Sequence, residues 1–110
     1  RHIWAMTNDG IGIHNFYVPA GGDVPDIEAN PKFAHKLQFI DEMTSHFSAN
    51  QPKAEILVGD LNIAPLATDV WSSKQLLKII SHTPVETDGL KRLIADGGWH
   101  DAVRAYFGDD

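Results

Sequence analysis

The chain has 110 residues, 43% hydrophobic and 22% charged, which suits one ordinary globular domain with a modest core and excludes a disordered tail. It contains no cysteine, so disulfides and thiolate metal sites are excluded. A formal charge of −6 argues against nonspecific nucleic-acid binding, which draws on a Lys and Arg surplus, but leaves room for a nuclease whose basic groups sit on one face or in segments not present here. No apolar run approaches the roughly 20 residues that cross a bilayer, and Arg1 does not open a signal-peptide layout, so the expectation is a soluble, cytoplasmic protein without a membrane or predicted protein partner. Because the sequence starts without Met and stops abruptly at Asp109-Asp110, we expect it to be part of something longer.

In chain order, His2 to Met6 and Ile11 to Val18 are short runs rich in Ile, Val and aromatics, joined by Thr7-Asn8-Asp9-Gly10. They predict a β-hairpin whose second strand is apolar on both faces and takes a covered place in a sheet. Residues 19–26 are dense in Pro and Gly and predict a surface loop after a strand end, a common place for chemistry. Asn30 and Pro31 mark a helix start, and Phe33, Leu37, Ile40 and Met43 or Phe47 give that helix one apolar face as far as about Ser48. Ala54 to Val58 then predicts a buried strand ending in Gly59-Asp60-Leu61-Asn62. Residues 63–70 predict a loop, Ser72 to Ile80 a short serine-capped helix, and Thr83-Pro84-Val85-Glu86 a capping box that launches a helix to Gly97-Gly98. One more helical turn is expected between Trp99 and Phe107. Strand, helix, strand is the order of an α/β or α+β layered fold.

The strongest chemical signal lies in Gly59-Asp60-Leu61-Asn62. If the backbone stays extended, Asp60 and Asn62 point the same way and present a carboxylate and an amide oxygen, hard ligands suited to Mg²⁺ and to a water or phosphate oxygen. The competing reading is an Asx turn that merely closes the strand. Gly59 allows another backbone or a substrate to approach. The second signal is Tyr17, at a strand end before a glycine-containing loop. Its hydroxyl either faces a substrate phosphate or simply reaches the surface from an amphipathic core position.

The order NxYxPxG, a helix with KxxF, GDLN and then SHTPxE resembles the exonuclease III branch of the endonuclease/exonuclease/phosphatase superfamily over nearly the whole chain. Asn15 to Pro19 match its tyrosine motif, Lys36 to Phe39 its helix motif, Gly59 to Asn62 its central motif, Thr83 to Glu86 a segment near the DNA groove, and Trp99 to Ala102 a late motif. The resemblance implies a fragment of the four-layer α/β sandwich of the DNase I-like fold, with residues 1–110 forming the central portion of one such domain. It implies a Mg²⁺- or Mn²⁺-dependent DNA phosphodiester hydrolase acting on abasic sites or 3′ ends in DNA repair. By the same resemblance Tyr17 is the phosphate-directed phenol, Asp60 the proton-handling carboxylate, and Asn62 its phosphate partner, with Asp60 and Asn62 also facing the metal.

Two features depart from that pattern. Ala20 stands where the family commonly has Asn or Gln. The family's early metal glutamate and late Asp-His pair have no counterpart, which puts them upstream of Arg1 and downstream of Asp110 and leaves the isolated chain inactive. The rival readings are a superfamily phosphatase or phosphodiesterase acting on small or lipid phosphates, and a non-catalytic scaffold. The six histidines, among them His14 and His82, match no metal spacing and are expected at or near the surface. Lys36, Lys74, Lys78, Lys91 and Arg92 suit contact with DNA phosphates and solvated helix faces equally, and the acidic net charge favours solvation for most of them; Trp71 is expected as a core anchor rather than a wedge near nucleic acid.

Overall fold

The computed structural model describes residues 1–108; Asp109 and Asp110 lie outside them. Three strands form one sheet in the order β1-β2-β3, with β1 at His2–Met6, β2 at Gly12–Tyr17 and β3 at Glu55–Asp60. β1 and β2 make the expected antiparallel hairpin, in which His2 faces Phe16 and Met6 faces Gly12. Its turn closes through the Thr7 N–H, which donates to the Ile11 carbonyl, while Gly10 takes a φ of 89° at no steric cost.

Helix α1 spans Pro31–Ala49. Asn30 caps it by accepting the Lys32 N–H, and Pro31 occupies the first position, where a missing N–H costs nothing. The helix returns the chain to the sheet, so β3 lies parallel to β2 from the Gly12–Glu55 pair to the Tyr17–Asp60 pair. The loop that follows contains one 3-10 turn at Ala67–Asp69. Helix α2, Ser73–Leu76, keeps its Ser72 cap but stops after one turn, short of the expected Ile80. The reason is His82, whose ring bonds both the Ser73 hydroxyl and the Ala64 carbonyl and folds the returning segment back on the helix start. Helix α3, Pro84–Asp96, begins at the predicted box and ends at Gly97, and α4 covers Ala102–Phe107 with Asp101 accepting the Arg104 N–H.

Helices α1 and α3 pack together over one face of the sheet. Phe16 and Val18, then Ile40, Met43 and Phe47, then Leu90 and Leu93 make the core. Phe47 is its hub, meeting Phe16 and Trp99 edge-on at centroid distances of 6.0 and 5.0 Å. Burying each such side chain stabilises the fold by about 1.5–3 kcal/mol.

The opposite face is uncovered among the described residues. Ile3, Ile56 and Val58 there are 71%, 49% and 46% exposed. β3 is therefore not the buried strand that its apolar run predicted. Alternation sends Leu57 toward the helices and Ile56 and Val58 the other way, and all the packed helices stand on one side.

Candidate active site at the ends of two parallel strands

Tyr17 and Asp60 are register partners at the C-terminal ends of β2 and β3, so strand pairing alone sets them on the same face, one strand spacing of about 4.8 Å apart. Pairing continues one step further, where the Val18 N–H donates to the Asp60 carbonyl at 2.9 Å. Gly59 is what lets the strands mate here. Its φ is 134°, and an added Cβ would overlap the Phe16 carbonyl oxygen and lie 2.8 Å from Asn15 Oδ1. Of the two approaches that Gly59 was expected to permit, the neighbouring backbone is the one present.

Asn62 departs from the extended geometry expected of it. The strand ends at Asp60, and Asn62 adopts a left-handed φ of 51°. Its N–H donates to Asp60 Oδ1 at 3.0 Å, which is the Asx turn weighed above, and its side-chain amide donates to the Val18 carbonyl at 2.9 Å. The turn and the pocket are thus compatible. Asp60 Oδ2 and Asn62 Oδ1 are left without hydrogen bonds among the described residues. Tyr17 is half exposed, and the Arg1 guanidinium sits 5.1 Å from its ring centroid.

Lys36 is not on a solvated face. It is fully buried, and its ammonium pairs with the equally buried Glu86 at 2.5 Å. It also donates to the Asn62 carbonyl at 2.7 Å and the Ala20 carbonyl at 3.2 Å, so all three of its protons are used. Glu86 reaches back to the Thr83 N–H, as the capping box predicted, and also accepts the Thr83 hydroxyl and the Ser81 N–H. The signal for Lys36 was present in the sequence. Phe33, Lys36, Ile40, Met43 and Phe47 are the buried positions of α1 and follow one 3-4-3-4 stripe, on which Leu37 does not fall.

An open cleft runs beside Asp60 and Asn62 and is bordered by Asp69, Asp101 and Arg104. Arg104 forms an ion pair with Asp69 across it. The sequence reading missed this pair, whose one local signal is Asp101 standing at cap spacing before Arg104. Two further expectations are corrected. Trp71 is 77% exposed, because the loop around it has no core to reach, so it anchors nothing. His14 and His82 are buried, His82 by the bonds that shorten α2 and His14 against Phe16, Phe47 and Trp99.

The donor set fits part of a hydrated Mg²⁺ site. Two hard oxygens, one of them a carboxylate's, are what a protein commonly offers that ion, which keeps several waters. Among the described residues no group of three or more His, Asp or Glu side chains is placed to hold a metal ion unaided.

No family model matches the chain, and no curated protein matches it by sequence. Among solved structures, an AP endonuclease from Archaeoglobus fulgidus superposes on all of it with a TM-score of 0.87 and 24% identity. A 3′ phosphatase, NExo from Neisseria, as an Asp-to-Asn variant bound to product DNA hairpin, superposes on 87% of it with a TM-score of 0.75 and 26% identity. This is the endonuclease/exonuclease/phosphatase fold. The chain spans 41% of the first protein and 36% of the second. Within the fold, the strand order, α1 and α3 of this chain account for the mixed α/β layering, and no helix among the described residues is long and apolar enough to cross a membrane.

Proposed function

We propose that residues 1–110 are the central portion of a single endonuclease/exonuclease/phosphatase domain, and that the whole protein is a cytoplasmic DNA-repair hydrolase of the exonuclease III type. Its substrate would be duplex DNA at abasic sites or 3′ ends. The observation that carries the reading is the register that sets Tyr17 beside Asp60, with Asn62 bound to Asp60 and a cleft open beside Asp60 and Asn62. The same fold occurs in an AP endonuclease and in a 3′ phosphatase bound to DNA.

In this reading Asp60 Oδ2 orients the attacking water and takes up its proton, since that oxygen has no other partner among the described residues. Asn62 holds the neighbouring carboxylate oxygen through its N–H and offers Oδ1 to the site. The Tyr17 hydroxyl donates to a non-bridging phosphate oxygen, where a donor stabilises charge that grows in the transition state. Mg²⁺ or Mn²⁺, held in part by Asp60 and Asn62, would neutralise that charge. The apolar residues Ile3, Ile56 and Val58 would receive the second sheet of the sandwich.

The test is cleavage of a duplex carrying one abasic site by full-length protein with Mg²⁺. Asp60→Ala and Asn62→Ala should each lower kcat by on the order of 10²-fold or more, the usual scale for a lost acid-base or oriented polar group. Undiminished cleavage in both variants sinks the assignment, and a full-length protein with neither cleavage nor Mg²⁺-dependent stabilisation would be a scaffold. The 110-residue chain by itself should not cleave, and clear Mg²⁺-dependent activity from it would refute the need for the rest of the domain.

A further inference from the structure

We infer that Lys36 and Glu86 form a positioning pair that fixes the Asp60–Asn62 corner from behind, an inference that rests on the function proposed above. Neither residue touches the cleft. Both are completely buried, on helices that cover the other face of the sheet. What connects them to the site is Asn62, which is held at three points. Its carbonyl takes a proton from Lys36, its side-chain amide holds the Val18 carbonyl, and its N–H holds the Asp60 carboxylate. A left-handed Asn is a strained position that persists where the surroundings over-determine it, and the Lys36 ammonium supplies the positive charge among those contacts, opposite the Asp60 carboxylate. The same ammonium grips the Ala20 carbonyl, three residues beyond Tyr17, so one buried cation ties down both loops that leave the paired strand ends.

The arrangement also accounts for a buried charge that stability alone does not call for. Replacing a buried ion pair by apolar groups of similar volume is often neutral or stabilising, so such a pair is weak evidence for a stabilising role. Glu86 serves Lys36 on one side and the Ser81 and Thr83 amides on the other. It thereby fixes α3 to the ammonium, and the ammonium to the corner.

The test compares full-length Lys36→Met/Glu86→Leu with wild type in thermal stability, in kcat and KM on the abasic duplex, and in hydrogen exchange at the Asn62 amide. Displacing a reacting group by about 1 Å costs on the order of 10²-fold in rate. The double variant should therefore stay folded, lose on the order of 10²-fold in kcat with KM within about twofold, and exchange the Asn62 amide faster. A folded double variant with wild-type kcat overturns the inference. Should that variant fail to fold, Glu86→Gln keeps the shape and an acceptor for Lys36. It should lower kcat by about tenfold at unchanged KM, and an unchanged kcat overturns the inference equally. If wild type does not cleave at all, the proposed function fails separately. The exchange rate then decides for the corner, with unaltered Asn62 protection counting against the pair.

Discussion

The two faces of the sheet are built from similar residues and have met different fates. Toward the helices, Phe16 and Val18 are sealed by Phe47, Leu90 and Leu93, and even the charges on that side are matched, Lys36 with Glu86. Away from the helices, Ile3, Ile56 and Val58 remain open, and Tyr17 and Asp60 end the same face, with the Tyr17 hydroxyl and Asp60 Oδ2 unpaired among the described residues. Rigidity and exposure are thus divided across a single sheet. The sealed face supplies fixed positions, and the open face presents the groups that are held in them.

The sharpest way to probe the division is Phe47→Ala on the sealed side, which should cost about 3–5 kcal/mol in urea unfolding, the usual loss for a core aromatic. A loss below about 1 kcal/mol would mean that the core is not organised around that ring. Next is Gly59→Ala, where the two faces meet at the strand pairing. Strain at a positive φ together with the overlap on Phe16 should cost about 3 kcal/mol or more, and a neutral result would show that β2 and β3 mate differently at Phe16. On the open face Val58→Thr should change stability by no more than about 0.5 kcal/mol in the 110-residue chain. The same substitution in full-length protein should cost more, because a second sheet would bury it. Equal costs would argue that nothing covers this face.

The smallest effect concerns pH. Burial, then the neighbouring His14 and His46 and the N-terminal amine, hold the His2 ring below its ordinary 6.5. The unfolded chain therefore binds that proton more readily than the folded one. The His2 contribution is complete above 6.5 and is lost as pH falls below it. His2→Phe, which keeps the stack on Phe16, should flatten the difference between urea midpoints at about pH 5 and about pH 7.5. A slope unchanged in the variant would assign the effect to another group.

Much of this fold was legible in sequence because local rules decided it. Asn30 with Pro31, Ser72, and Thr83 through Glu86 each start a helix where capping chemistry says they should. The hairpin and the strand before Gly59 followed from apolar runs between turn formers. What stayed hidden depended on distant partners. The buried Lys36 reads as solvated until Glu86 is known to face it, and α2 reads longer until His82 is seen to fold back on Ser73. Trp71 reads as an anchor because aromatics usually find a core, and here the loop offers none. At the site itself, Tyr17 and Asp60 were each singled out by motif. Their pairing needed the register of two strands separated by a whole helix, and the left-handed turn at Asn62 gave no pattern that alternation can detect.

The reach of Lys36 also sets a timetable. Its carbonyl partners lie 16 residues back and 26 residues ahead, and Glu86 is further along still. Contacts between distant positions must overcome loop-closure entropy before they contribute, and synthesis delivers the N-terminal side first. A nascent chain can therefore form the hairpin and α1 while the Lys36 ammonium keeps its water. It gives that water up only when α3 arrives with a carboxylate in hand. The corner at Asp60 thus matures late, and whatever pries α3 away in the finished protein should loosen that corner before it disturbs the hairpin.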